Sequence, residues 1–326
     1  MPVSSITIEL HMAFYKGGTM YAVRVHWTPA CELLASLAAV ANRKVYRTID
    51  MGHTWRDGVM KRLPEDVRAL MSGEPLAQWA FPMSIAHMSP AGEATGFIDW
   101  LALQEPGALY AAFAAVCPGE RIPQPGDLER RREKFVKVLK ALNDCYFSSV
   151  DPRILEALKA DAEQKARLVS GLPGREIVEL ATNGLQVDDT PGLDSVRITP
   201  QYHCRPMNLI DIYGTNEMVY FYPVETPEDL SDGIPQRLLR MGDAISDASR
   251  LKILRFLKSG PHTFTEIVGF TGLYKSTVHY HLVILRAAGL LTIHMSGYEA
   301  DNYSLRPKAI DMLASTMRSF LGVEKA

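Results

Sequence analysis

The alternation of apolar and polar positions divides the chain into recognisable elements. ITIELHM (Ile6–Met12) and YAVRVHW (Tyr21–Trp27) alternate with a period of two, and Lys16-Gly17-Gly18 between them reads as a turn. The pair predicts a β-hairpin. Thr28-Pro29 then opens a helix running to about Ala41, with Thr28 as N-cap, Pro29 in the first helical position and Leu33, Leu34, Leu37 and Val40 on one face. From Trp55 to Ala181 the spacing is mostly helical, punctuated by Pro64, Pro75, Pro82, Pro90, Pro106 and Pro118. The longest helix is predicted over Asp127–Tyr146, burying Phe135, Val138, Leu139 and Leu142; two more follow at Pro152–Val169 and Pro173–Ala181. Leu193–Ile198, Met207–Tyr213 and Glu217–Tyr222 return to strand character, with Gly214-Thr215-Asn216 as a turn. The fold class expected for residues 1–222 is α+β, mostly helical with a few strands, the early hairpin being a plausible partner for the late strands.

Pro223–Pro235, PVETPEDLSDGIP, is acidic and rich in turn formers, and reads as a linker between residues 1–222 and a second domain over 236–326. In that domain Gln236–Ile245 and DASRLKILRFLKSG are helical, the latter with Asp247 as N-cap, a stripe of Leu251, Leu254 and Leu257, and an end at Gly260-Pro261. A short helix from Thr263 to Phe270, a turn at Thr271-Gly272-Leu273 and a second helix over Lys275–Ala288, stopped by Gly289, come next. Val278, Leu282 and Leu285 face inward on the second helix, leaving Lys275, Ser276, Thr277, His279 and Tyr280 at its open end or outer face. LLTIHM and NYSL around SGYEAD predict a hairpin with a polar tip, and a last helix from Pro307 to Leu321 carries Ile310, Leu313, Met317, Phe320 and Leu321 on one side.

DASRLKIL, STVHYHLVILRAAGLL and the hairpin together resemble the winged helix-turn-helix of ArsR-type bacterial repressors. The resemblance covers about the last ninety residues and leaves the N-terminal domain unassigned. It implies a cytoplasmic, DNA-binding transcriptional regulator: a homodimeric repressor on a pseudo-palindromic operator in double-stranded DNA. In that setting Lys275, Ser276, Thr277, His279 and Tyr280 are expected to read bases or fix the register. Tyr298 and Asn302 in the wing, with Thr263 and Thr265 at the first helix start, are expected to touch the backbone. Leu238 and Leu239 before the helix-turn-helix, with Ile310, Leu313, Met317 and Phe320 after it, are the expected dimerisation residues. The first domain would sense a small-molecule or other signal. The alternative is a first domain that binds no ligand, leaving a constitutive regulator or a protein-interaction module.

Composition changes this picture little. The 326 residues suit two domains, and no apolar run approaches the length of a membrane span. MPVSSITIELHMAF has no basic segment leading an apolar core, so no signal peptide is expected. The net charge of −2 conceals an asymmetry: residues 236–326 hold 12 Lys and Arg against 7 Asp and Glu, so that +5 there is set against −7 in the rest. A basic module on an acidic body fits DNA binding at one end.

Other chemistry is weakly signalled. Cys31, Cys117, Cys145 and Cys204 show neither paired metal spacing nor a disulfide framework, and His11, His26, His53 and His87 are scattered, so no metal and no cofactor are expected. The helix FTEIVGF lacks the cysteines that metal sensing would need, and His279 and His281 fall on different sides of their helix. His203-Cys204 suggests a base beside a nucleophile, but neighbours on an extended segment point to opposite faces. GLPGRE (Gly171–Glu176) lacks the third glycine and preceding strand of a phosphate loop. An enzyme is therefore not expected. Arg130-Arg131-Arg132, flanked by Glu129 and Glu133, reads as a solvated helix face before it reads as a phosphate contact. Trp55, Trp79, Phe81, Phe97, Trp100, Tyr110 and Phe113, with Met83 and Met88, form either ordinary core or the lining of an apolar pocket.

Overall fold

The computed structural model describes residues 6–8, 21–42, 45, 48–116, 125–188, 190–212, 216–226, 230–231, 233–296 and 299–323. The Lys16–Gly18 turn, the end of the first predicted strand, His11, Cys117, Gly214-Thr215 and Tyr298 lie outside the described residues, as do parts of the Pro223–Pro235 segment. The chain forms two units. The first takes residues up to Gly171 and Gly192–Val224; the second takes Leu172–Pro191 and the residues from Glu225 onward. The division is therefore not one cut at the proline-rich segment, because a stretch near residue 180 is built into the second unit.

The first unit runs β1 (Ile6–Ile8), β2 (Ala22–Trp27), α1 (Pro29–Ala41), α2 (Gly52–Arg62), α3 (Glu65–Gly73), α4 (Leu76–Trp79), a 3-10 turn at Met83–Met88, α5 (Ala94–Ala102), α6 (Pro106–Val116), α7 (Pro125–Cys145) and α8 (Pro152–Leu168). After α9 (Gly174–Thr182) and β3 (Leu185–Val187), which belong to the second unit, β4 (Ser195–Gln201), β5 (Leu209–Ile212) and β6 (Glu217–Pro223) complete the first. Its sheet has the order β1-β2-β4-β6-β5, with β2, β4 and β6 parallel and β1 and β5 antiparallel at the edges. The early hairpin therefore does pair with the late strands, Val25 opposite Ile198. β6 is buried along nearly its whole length, as a parallel strand covered on both faces must be. On one face α8 packs on β2 and β4, and the Tyr222 hydroxyl donates to Asp161 at 2.6 Å. On the other lie α1 and the 3-10 turn, where the His87 ring stacks on Phe221.

Part of the aromatic-rich stretch is core: Trp79 and Phe97 are fully buried and Phe81 nearly so, packed edge-on against Phe135 of α7, whereas Trp55 and Trp100 are half-buried and Tyr110 is exposed. Of the arginine run on α7, Arg130 is exposed, as a solvated face would have it, while Arg131 and Arg132 are half-buried and turn to carbonyls. Arg131 donates to the Ala80 carbonyl and Arg132 to that of Gln104, tying the long helix to the loops that follow α4 and α5.

The second unit continues with β7 (Leu230–Ser231), β8 (Ile234–Pro235), α10 (Gln236–Ile245), α11 (Ala248–Leu257), α12 (Phe264–Thr271), α13 (Lys275–Ala287), β9 (Leu291–Ser296), β10 (Glu299–Leu305) and α14 (Lys308–Leu321). Asp247 caps α11, accepting the Arg250 N–H at 2.9 Å. The stripe on α11 differs from the predicted one: Ile253 and Leu257 are buried, Leu251 is exposed and Arg250 is buried instead, donating to the carbonyls of Ala244 and Asp243 that end α10. β9 and β10 form the predicted hairpin, with an irregularity between Ala300 and Asn302. A third strand was not foreseen. β3 lies parallel to β9, pairing Leu185 with Ile293 and Val187 with Met295. Three residues are too few to show an alternating pattern, so this strand is set by its partner. No helix of the described residues is long and apolar enough to cross a membrane.

Candidate nucleic-acid interface

Each end of the helix-turn-helix is specified locally. Thr263 and Glu266 form a reciprocal capping box at the start of α12: the Thr263 hydroxyl accepts the Glu266 N–H at 3.2 Å, and the Glu266 carboxylate accepts the Thr263 N–H at 2.7 Å. The Thr263 N–H and the Thr263 hydroxyl, both donating to it, hold the Glu266 carboxyl below its usual range. α12 ends at Gly272, whose φ of 66° is the left-handed geometry that closes a helix without a Cβ penalty. Tyr274 then occupies the N-cap position of α13 without a side-chain cap. The Thr277 N–H donates to the Tyr274 carbonyl at 2.9 Å, which leaves the N–H groups of Lys275 and Ser276, with no side-chain cap, to face an anion.

Val278, Leu282 and Leu285 of α13 are buried, as the helical period requires. Lys275, Ser276, His279 and Tyr280 are exposed, and Thr277 is half-buried. His281 is buried, so the two histidines of the helix are separated as expected. Thr263 and Thr265 are exposed at the start of α12, and Asn302 is half-buried beside the wing irregularity. Of the expected DNA contacts, all but Tyr298 can thus be placed, and the four exposed residues of α13 sit together on its N-terminal half. Tyr274 was not among them, although it is 85% exposed and directly precedes Lys275. The signal was its N-cap position, next to the open end. Phe270 is also exposed in part, but its ring stacks on Phe256 at 4.1 Å.

The wing is fixed to the body of the unit by Arg306, at the end of β10. Its guanidinium pairs with Glu179 at 3.2 Å and donates to the Asn183 side chain at 2.5 Å. Asn183 is in turn the left-handed end of α9 (φ 60°), and Gly289, after α13, lies against its side chain. Among the expected dimerisation residues, Leu239, Ile310, Met317 and Phe320 are exposed, Leu313 is half-buried, and Leu238 is buried in its own chain. Leu238 consequently serves the core of the unit.

The remaining candidates lie in the first unit. His203 and Cys204 are in a turn, not on an extended strand, and point to different partners. His203 is fully buried between Glu32, which faces its Nδ1, and the Tyr146 hydroxyl, 2.7 Å from its Nε2; Trp55 donates to that hydroxyl at 3.0 Å. The Cys204 thiol donates to the Ala35 carbonyl, and burial pushes its pKa well up. The histidines that look scattered in the sequence are partly gathered: His26 of β2 and His87 of the 3-10 turn lie beside Cys31 of α1.

A winged helix-turn-helix whose second helix, α13, is polar and exposed at its start defines the fold of the second unit. Residues 247–292 match the family model of the bacterial regulatory protein, arsR family, so this segment is similar to the ArsR-type helix-turn-helix. The match does not reach the N-terminal unit. Among solved structures the chain is similar to a possible transcriptional regulatory protein (fragment 1–100) from Mycobacterium bovis, with 24% identity over 26% of this chain and 90% of that one, at a TM-score of 0.22. A solution structure of a homodimeric winged helix-turn-helix DNA-binding domain from the same organism, a possible ArsR-family regulator, is similar at 24% identity over 26% and 78%, TM-score 0.22. NolR from Sinorhizobium fredii is similar at 21% identity over 27% and 88%, TM-score 0.22. No curated protein matches the chain.

Proposed function

We propose that this protein is a one-component repressor. It acts as a homodimer that sets two copies of α13 into successive major grooves of a pseudo-palindromic operator, about 34 Å apart. The observation that carries this reading is the cluster of Lys275, Ser276, His279 and Tyr280, exposed on the uncapped half of α13 within an ArsR-type segment. Lys275 and the open N–H groups suit phosphate; Ser276, His279 and Tyr280 offer donors and acceptors to base edges. Thr263, Thr265 and Asn302 contact the backbone beside it. The exposed apolar side of α14, Ile310, Met317 and Phe320, supports pairing of two chains, because such a row in water is a cost that a symmetric partner removes. The N-terminal unit binds a signal molecule and acts as a sensor, not a catalyst; the signal changes operator affinity through its differential binding to the two states of the dimer.

The test is fluorescence anisotropy with an operator selected from genomic fragments. Lys275→Ala with Tyr280→Ala lowers specific affinity at least about 100-fold, the cost of one or two base and phosphate contacts per half-site, while circular dichroism and dimer mass stay as in the wild type. Operator affinity retained by the double variant would remove α13 as the reading helix.

A further inference from the structure

We propose that His26, Cys31 and His87 form a binding site for one zinc(II) ion inside the N-terminal unit. Three elements deliver the donors. His26 comes from β2, on the sheet face covered by α1 and the 3-10 turn; Cys31 sits in the first turn of α1; His87 lies on the 3-10 turn itself. One ligand atom from each lies within 4.8 Å of the other two. A tetrahedral zinc site with bonds of 2.0–2.3 Å has donor–donor edges of roughly 3.5 Å, so side-chain movements of about 1 Å complete the coordination. Two imidazoles and a thiolate are a donor set that zinc accepts, with a fourth position left for water.

The second observation concerns His26. Its ring is buried, and its Nε2 has no hydrogen-bond partner. A pair of histidines serving only as packing would leave that nitrogen at the full cost of desolvation; a ligating nitrogen needs an ion and not a proton. The outer shell is also built. The His87 Nε2 is 3.2 Å from the buried Thr199 hydroxyl, which helps to orient that ring. Thr28 Oγ1 lies 3.5 Å from the Cys31 sulfur. The nearby cation, Arg197, is paired with Glu217 at 3.0 and 3.2 Å, which offsets its repulsion of a metal.

The site is independent of the DNA-binding reading and is tested without DNA. The full-length chain, reduced and freed of metal by chelator, is titrated with cobalt(II) and then zinc(II). One equivalent of cobalt per chain is expected to give a thiolate-to-cobalt charge-transfer band, displaced by one equivalent of zinc. Cys31→Ser loses the band and binds zinc at least about 100-fold more weakly, whereas Cys145→Ser keeps both. No band in the wild type, or a band that survives Cys31→Ser, overturns the proposal. Should Cys31→Ser fail to fold by circular dichroism, His87→Gln replaces it: reduced cobalt affinity supports the site, and unchanged affinity overturns it.

Discussion

At the residue scale, the second unit depends on a few close approaches. Gly184 has a φ of 122°, and a Cβ there would fall on the Leu291 carbonyl. Gly184→Ala is expected to destabilise this unit by on the order of 3 kcal/mol, from strained backbone and displaced strand together, read as a lower urea midpoint. Arg306→Ala removes the nearer cation from the partly buried Glu179, leaving Lys308 at 3.9 Å, and should cost about 2 kcal/mol in the same measurement. Glu266 supplies a pH test. Its carboxyl is held below the usual value of 4.5 by hydrogen bonds from Thr263, so the folded state binds the proton less readily than the unfolded chain. Its contribution is complete above about pH 4.5 and is lost as pH falls through the lower folded value. Glu266→Gln should reduce the acid-side loss of stability in urea melts, and an unaltered pH profile would contradict the role given to the box. Gly289 was legible as a helix stop, because a local rule demands it. Gly184 and Arg306 were not, since their reasons lie in residues more than a hundred positions away.

At the scale of elements, the helix-turn-helix was readable because every signal in it is local: the Thr263 cap, the Gly272 turn and the inward spacing of Val278, Leu282 and Leu285. Thr263→Ala removes one half of the capping box and should cost about 1 kcal/mol by thermal melting, without loss of the α13 surface. β3 shows the opposite case. Its place beside β9 arises from a parallel pairing across the sequence, which no pattern in Leu185–Val187 announces. Val187 is fully buried there. Val187→Asp is expected to destabilise the second unit by at least about 3 kcal/mol, and hydrogen exchange should locate the loss in β9 and β3. The candidate metal donors were missed for the same reason: they come from a strand, a helix and a turn that only the tertiary fold brings to one place.

At the scale of the whole molecule, the basic C-terminal segment, the open recognition helix and the exposed side of α14 support one account: a symmetric regulator that meets DNA through its second unit. Met317→Asp with Phe320→Asp should yield monomers by light scattering and weaken operator binding, because each chain then engages a half-site alone. The division into units was legible only in part. The acidic, proline-rich segment marks the return of the chain to the second unit near Glu225, but the earlier visit by Leu172–Pro191 carries no compositional change. The most direct test of the central claim is capture of genomic fragments by the purified full-length protein at physiological salt, sequenced beside the Lys275→Ala, Tyr280→Ala double variant. The account predicts a recurrent two-fold-symmetric site, recovered by the wild type and lost by the variant. Equal recovery by both, or no shared site in the wild-type sample, would contradict it.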